Sequence, residues 1–272
     1  MMWTPLRTFL LSLQFLTRFP VEIKGELKQG DMPRAMIWFP LVGLLLGLFV
    51  AAALLCLGAV LPPGPAAAFG LILWVMITGN LHLDGLIDTA DAFFCSGDVA
   101  RRLEIMKDSR IGAHGAAAAV LTLLCKWSLL QSFYTAGIII IALPLITASA
   151  RWSMVLAAGY QKKARPGGLA RLMTDGFRPS YFYLATLLWL APAAALTAAL
   201  SPFPATAPAA ASAVTPVTLV LLFLTLPLTA IVTWAFGRYV AGKIGGLTGD
   251  TLGATNELVE LVLMAWLAAV AG

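Results

Sequence analysis

A short polar stretch, GNLHLDGLIDTAD at 79–91, follows an apolar run that is long enough to enter a membrane. If one helix continues through it at about 100° per residue, four side chains share one face: Asn80, Asp84, Asp88 and Asp91. Carboxylates four residues apart repel each other, so a cation is expected between them. Mg²⁺ commonly takes one or two carboxylates and leaves its other positions to water and phosphate oxygens. The spacing therefore predicts a Mg²⁺ site on the three aspartates, and a solvated acidic helix end is the alternative.

The segment ARRLEIMKDSRIGAHG at 100–115 brings basic residues to the start of the next apolar run. Cations beside a helix N-terminus favour phosphate, because their charges act together with unsatisfied backbone N–H groups. Lys107 and Arg110, which alternate with Asp108 and Ser109, are therefore candidate phosphate-binding residues. The alternative is that these charges only retain the loop in the cytoplasm.

A third polar stretch, GKIGGLTGDTLGATNELVE at 242–260, leads into the last apolar run. Glycines such as Gly246, together with Thr248, could let backbone N–H groups approach a phosphate closely. Tight turns between spans also use glycine, so the glycines alone are weak support. Asp250, Asn256 and Glu257 add polar side chains at the start of the span.

Two charged residues, Arg151 and Glu260, fall inside apolar segments. A charge at membrane depth must face a partner or a water-filled cavity. We predict that Arg151 pairs with substrate phosphate or with one of the aspartates, and snorkelling to the cytoplasmic surface is the alternative. His82 would face away from the aspartates, and both His82 and His114 are more typical of packing residues than of ligands.

These polar segments are set in a very apolar chain. The 272 residues are 60% hydrophobic and 11% charged, with a mean hydropathy of +0.88, which excludes an ordinary soluble domain. Runs long enough to cross a hydrocarbon core of about 30 Å predict about seven transmembrane helices. They lie near 36–61, 66–83, 112–132, 134–158, 181–200, 214–236 and 255–271. The expected fold is all-α, a polytopic integral membrane helical bundle.

We predict a single membrane domain over 1–272, in which 35–272 form the bundle. The N-terminal segment 1–34 contains a short, charge-interrupted apolar run, which indicates an interfacial or re-entrant helix rather than a signal peptide. The uncharged connector 201–216 is expected to be a flexible outside loop.

Basic residues predict the orientation. They cluster in the N-terminal segment and in alternate connectors, so the N-terminus and the candidate site are predicted to be cytoplasmic. Lys126 and Arg151 are the exceptions to this pattern. The net charge of +5 suits a surface of anionic lipid, and no aromatic and basic module supports nucleic-acid binding.

Three motifs in this order, HLDGLIDTADAFF, IMKDSRIGAHG and GGLTGDTLGATNEL, resemble those of the cobalamin synthase family, the adenosylcobinamide-GDP ribazoletransferases. LQFLTRFP and WFPLVGLLLG are similar too, so the resemblance covers nearly the whole chain. It implies a Mg²⁺-dependent enzyme of a prokaryotic inner membrane that joins adenosylcobinamide-GDP to α-ribazole, or its 5′-phosphate, and releases GMP. An aromatic residue is more usual where His114 stands, so His114 receives no role.

The resemblance also implies site residues. Asp84, Asp88 and Asp91 match the acidic motif, and either Asp91 or Asp250 would accept the proton of the attacking hydroxyl. The basic motif matches Lys107, Asp108 and Arg110, and the last motif matches Asp250, Asn256 and Glu257. Apart from Asp250, these are candidate substrate-binding residues, and Asn80, Arg151, Gly246 and Thr248 join them on their own chemistry and spacing. A homo-oligomer, or association with other enzymes of the corrinoid pathway, stays open.

Two other functions compete with this one. A membrane prenyltransferase would also use Mg²⁺ and diphosphate, and Asn80, Asp84 and Asp88 spell N-x-x-x-D-x-x-x-D. The second D-x-x-x-D repeat expected there is missing, because Ala254 stands four residues after Asp250. An ion-coupled transporter or channel would use intramembrane acids, but it leaves the basic and glycine-rich segments unexplained.

Overall fold

The computed structural model describes residues 5–23, 25–165, 167–200 and 214–271, and within these ranges the chain is a bundle of α-helices without β-strands. The first six helices are α1 (Pro5–Leu16), α2 (Asp31–Ala35), α3 (Phe39–Gly58), α4 (Pro63–Thr78), α5 (Leu81–Phe94) and α6 (Val99–Ile105). The others are α7 (Ala113–Thr135), α8 (Ile139–Tyr160), α9 (Leu169–Thr174), α10 (Pro179–Leu200), α11 (Val214–Ile244) and α12 (Gly249–Ala271). A 3₁₀ turn, Met36–Trp38, joins α2 to α3.

The predicted fold, a helical bundle with about seven membrane-spanning segments, is confirmed. Six helices of the described chain are long and apolar enough to cross a membrane, and α4 with α5 form a bent pair that could be a seventh span. The last two helices are longer than the predicted spans 214–236 and 255–271, since α11 continues to Ile244 and α12 already begins at Gly249. Most of the connector predicted over 201–216 lies outside the described residues.

Helix α8 is the centre of the bundle, and almost all of its residues are buried. It packs closely on α3, because Gly43 and Gly47 leave no side chain between the two backbones. A Cβ on Gly43 would lie 2.5 Å from the Thr147 carbonyl oxygen. The Thr147 hydroxyl donates to the Gly43 carbonyl at 2.7 Å. Small residues four apart are the usual means by which membrane helices approach this closely.

The second predicted span is broken, because α4 ends at Thr78 and α5 leaves at 88° to it. Gly79 and Asn80 adopt left-handed conformations with φ of 60° and 62°, which cannot continue a right-handed helix. Arg18 supports the break from the N-terminal segment, since its backbone N–H donates to the Ile77 carbonyl at 2.6 Å. Its side chain occupies the place that a Cβ on Gly79 would take.

The N-terminal helix α1 has 12 residues, too few to cross a bilayer. It packs against the start of the first span through two side-chain contacts. The Ser12 hydroxyl donates to the Ala35 carbonyl at 2.5 Å, and the Trp38 indole N–H donates to the Thr8 hydroxyl at 3.0 Å. The helix therefore braces the same end of the bundle as the break at 79–80.

Candidate active site

The acidic residues occupy α5, but not as the continuation of α4. The prediction of one helix through Asn80 is wrong, because Asn80 lies in the bend and caps the start of α5. Its side chain is exposed, and its carbonyl accepts from the Asp84 N–H at 2.8 Å. Asp84, Asp88 and Asp91 still share a face, since all three lie within the continuous helix α5.

Helix α5 crosses α12 at a point where both helices have glycine. A Cβ on Gly85 would lie 2.6 Å from the Asp250 carbonyl oxygen, and a Cβ on Gly253 would lie 3.1 Å from the His82 carbonyl oxygen. This close crossing brings Asp250 of α12 next to the acidic face of α5. Asp88 consequently feels the negative charges of Asp84, Asp250 and Asp91.

Asp91 joins α5 to the start of α7. Its two carboxylate oxygens accept backbone N–H bonds from Gly112 and Gly115, each at 2.8 Å. A Cβ on either glycine would collide with this carboxylate. Asp91 thus satisfies N–H groups that a helix N-terminus leaves without intrahelical partners, and it holds the basic segment before α7 close to the acidic helix.

The basic segment lies in the exposed turn between α6 and α7. The Arg110 guanidinium donates to Asp108 at 2.9 Å, and this hydrogen bonding lowers the pKa of the Asp108 carboxyl to about 2. Lys107 is exposed beside them. All three residues lie in the segment that leads to Gly112, whose N–H group is bonded to Asp91, and none of the three is buried.

The glycine-containing turn before α12 is shaped by hydrogen bonds of its own. Thr248 caps α12, since the Thr251 N–H donates to the Thr248 hydroxyl at 3.1 Å and the Thr248 N–H donates to the Thr251 hydroxyl at 2.9 Å. A Cβ on Gly246 would collide with the Lys162 carbonyl, so this glycine admits the connector that follows α8. The turn therefore brings a second connector to the acidic residues.

A buried group of charges lies deeper in the bundle, and we call Lys126, Arg151, Glu257 and Glu260 the buried tetrad. Lys126 Nζ donates to Glu257 at 2.7 Å and also to Glu260, and Arg151 donates to Glu260. Asn256 donates to Glu260 at 3.2 Å. The predicted pairing of Arg151 with an aspartate is wrong, because the described ion pair joins Arg151 to Glu260.

His82 faces the buried tetrad rather than the aspartates. It is 2% exposed, and Arg151, Glu260 and Lys126 are its charged neighbours. His114 is exposed and packs its ring near that of Phe94 at 5.6 Å. Neither histidine lies among the acids of α5.

The sequence profile of the cobalamin-5-phosphate synthase family matches residues 8–268. The chain belongs to this family. The chain is 38% identical over 266 residues to the adenosylcobinamide-GDP ribazoletransferase of Pseudomonas aeruginosa, covering 97% of this chain and 98% of that one. It is 37% identical over 259 residues to the enzyme of the same name from Thiobacillus denitrificans, covering 94% and 92%. No solved structure matches the chain.

Membership of the cobalamin-5-phosphate synthase family makes the chain an enzyme of cobalamin biosynthesis and decides against the prenyltransferase and the transporter. The donor chemistry where α5 meets α12 suits Mg²⁺, because the side-chain oxygens are carboxylates. The Asp250 Oδ2 atom of α12 is also buried without a hydrogen-bond partner among the described residues. In the described residues no three acids, histidines or cysteines converge into a complete ligand set. Mg²⁺ needs only one or two carboxylates when phosphate oxygens complete its shell, so the residues present fit the ion.

The sequence marked Lys126 and Glu260 as unusual charges, but it did not pair them with each other. The structure joins them across the bundle. Arg165 was missed as a site residue, although it is the cation that acts most strongly on Asp250. Its place in a basic connector looked like a topology signal, and sequence alone offered no sign of its neighbour.

Proposed function

We propose that the protein joins adenosylcobinamide-GDP to α-ribazole or its 5′-phosphate and releases GMP. The reaction takes place at the end of the bundle where the aspartates of α5 and Asp250 of α12 meet, which we call the acidic end. The observation that carries this proposal is the crossing of α5 and α12 at Gly85 and Gly253, which gathers the aspartates at one end. The anionic diphosphate of the substrate is repelled by such a cluster unless a cation lies between them. Mg²⁺ is therefore part of the proposal.

The reaction is a phosphoryl transfer, which depends chiefly on positioning and charge neutralisation. A ribose hydroxyl attacks the phosphorus that carries the cobinamide, the bond from that phosphorus to the bridging oxygen breaks, and GMP leaves with that oxygen. Asp84 and Asp88 would hold Mg²⁺, which would neutralise charge on the diphosphate. Asp250 would accept the hydroxyl proton, because its Oδ2 is free while both oxygens of Asp91 bond α7.

Lys107 and Arg110 would offset further charge on the diphosphate. Arg110 is bound to Asp108 through a solvent-exposed ion pair. Such pairs contribute little to stability, so phosphate could replace Asp108 as the partner of Arg110. Asn80, at the exposed start of α5, and Asn256, whose Oδ1 has no hydrogen-bond partner, remain candidate substrate-binding residues.

The decisive assay follows GMP release from adenosylcobinamide-GDP and α-ribazole by the purified protein in lipid. We expect turnover that stops when Mg²⁺ is chelated and returns when Mg²⁺ is added. Asp84→Asn and Asp88→Asn should each lower turnover by at least about 100-fold, since each removes one anionic ligand of the ion. Rates close to those of the unmodified protein would remove both residues from the metal site.

We propose further that the acidic end faces the cytoplasm of a prokaryotic cell, because the basic connectors lie at that end. Cys95 follows α5 there, whereas Ala136 is exposed in the turn between α7 and α8 at the other end. In a variant whose only cysteine is Cys95, an impermeant maleimide should label inverted vesicles but not intact spheroplasts. A matched variant whose only cysteine is at Ala136→Cys should show the reverse, and the same labelling in both would contradict the orientation.

A further inference from the structure

The connector between α8 and α9 carries Arg165 to the start of α12. The Leu247 N–H donates to the Lys162 carbonyl at 2.7 Å, and the Ala164 N–H donates to the Leu247 carbonyl at 3.0 Å. These two bonds form a short parallel bridge between the connector and the glycine-containing turn. Arg165 follows at once, so its backbone position is set by the same turn that leads into Asp250.

Arg165 and Asp250 are opposite charges that face each other without forming an ion pair. Arg165 provides the largest attractive charge on Asp250, yet no salt bridge joins the two in the described chain. The Arg165 Nη1 atom and the Asp250 Oδ2 atom are both buried without a hydrogen-bond partner among the described residues. A buried donor and a buried acceptor that lack partners are costly, which indicates that a further polar group belongs between them.

Three other cations already have partners in the described chain. Lys163 donates to Asp175, Arg110 donates to Asp108, and Arg151 is turned into the buried tetrad toward Glu260. Arg151 also has buried N–H groups without partners among the described residues, but its guanidinium is held by Glu260. Arg165 differs from these cations in that its buried N–H group lies near Asp250. A guanidinium presents its N–H groups in a planar fork that matches two phosphate oxygens at once.

A cavity of about 380 Å³, which we call the polar cavity, lies between the N-terminal segment and α9, and Arg165 approaches its Gly168 side. Its lining includes Gln29 and Gly30 from the N-terminal segment and Gly168 and Asp175 from the region of α9. A Cβ on Gly168 would lie 3.5 Å from the Arg165 Nε atom, so the guanidinium lies against the cavity wall. A group bound to Arg165 can therefore extend into this cavity on one side while Asp250 lies on the other.

We propose that Arg165 binds the diphosphate of the nucleotide substrate and that the polar cavity receives its nucleoside end. This assignment rests on the proposed function and names a residue of that same site. The diphosphate lies between Arg165 and the aspartates of α5 and α12, so that its negative charge meets the guanidinium on one side and the proposed Mg²⁺ on the other.

The first test compares Arg165→Ala with Arg178→Ala, which removes an exposed arginine from the turn between α9 and α10. For Arg165→Ala we expect the KM for adenosylcobinamide-GDP to rise about 10- to 100-fold, the effect of losing hydrogen bonds from a charged donor. The KM for α-ribazole should change less than about twofold, since a group that contacts only one substrate affects only that one. Arg165→Lys should fall between, because lysine restores the charge without the fork.

The second test uses the unmodified protein and so does not depend on the folding of a variant. Phenylglyoxal modifies accessible arginines, and mass spectrometry reports the extent of modification at each site. We expect GDP to protect Arg165 and to leave Arg178 as reactive as before. Equal modification of Arg165 with and without GDP, or an unchanged KM in a folded Arg165→Ala variant, would overturn the assignment. If the unmodified protein released no GMP, the proposed function itself would fail instead.

Discussion

Removal of Lys126 should destabilise the bundle by far more than removal of a surface lysine. Lys126 Nζ contacts Glu257 and Glu260 on α12 and lies 4.8 Å from the centre of the Trp74 ring. Its side chain is 5% exposed, and those of Glu257 and Glu260 are 8% and 1% exposed. The buried tetrad is neutral as a whole, since two carboxylates meet two cations.

Lys126→Met keeps an unbranched side chain of similar length but leaves two carboxylates to share the remaining cation, Arg151. Breaking a buried ion pair by removing one partner costs about 3–5 kcal/mol, because the other charge stays buried without compensation. We expect a loss of this size in the free energy of unfolding. The exposed control Lys162→Met should stay within about 0.5 kcal/mol of the unmodified protein.

The double variant Lys126→Met with Glu257→Met tests the cause of the loss. It leaves Arg151 paired with Glu260, and replacing a buried ion pair by apolar side chains is often neutral or stabilising. The double variant should therefore regain most of the stability that Lys126→Met loses, which gives a favourable coupling energy of up to about 3 kcal/mol. The measurement is the unfolding transition in detergent micelles. A double variant less stable than Lys126→Met alone would refute the argument from charge balance.

Three further predictions concern the crossing of α5 with α12, the junction of α5 with α7, and Asp175, which directly follows α9. Gly85→Ala puts a methyl 2.6 Å from the Asp250 carbonyl oxygen, so the rate of GMP release should fall about 10-fold or more. Gly242→Ala is the control, because its methyl meets no described atom within 4 Å, and it should leave the rate unchanged. Asp91→Ala removes the acceptor for two N–H groups at the start of α7 and should lower the free energy of unfolding by about 1–2 kcal/mol. An unchanged melting temperature would contradict the capping role of Asp91. Hydrogen bonds from a lysine and an arginine lower the pKa of Asp175, so this carboxylate stabilises the fold above its ordinary pKa of 3.8 and loses that effect as the pH falls through the lowered value. Asp175→Asn should make the unfolding midpoint depend less on pH in that acidic range. An unchanged pH dependence would count against a stabilising role for the Asp175 carboxylate.

Much of the helix layout could be predicted from local properties of the chain. Span length and hydropathy depend on contiguous residues, which is why the first predicted span, 36–61, corresponds to an observed helical stretch at Asp31–Gly58. The bend at Gly79 was not predicted, because the spacing of the polar residues over 80–91 is equally compatible with a helix that continues from the apolar run. The bend is formed by two consecutive residues in the left-handed conformation. Arg18, which lies 61 positions before Gly79 in the sequence, packs against it.

The candidate site also combines features that the local sequence determines with features that depend on contacts between distant segments. The chain alone determined that Asp84, Asp88 and Asp91 share a helical face, because a spacing of three or four residues is sufficient for that. Which residues face them was decided by the tertiary structure.

Asp250 and Arg165 reach the acidic face only because α5 crosses α12 at glycines and because the connector after α8 pairs with the turn at Leu247. Likewise, Arg151 could have met any acid in the membrane, and the packing of α8 on α12 selected Glu260. Helical periodicity is a property of one segment. The choice of a partner depends on where two distant segments cross, and no local pattern encodes that position.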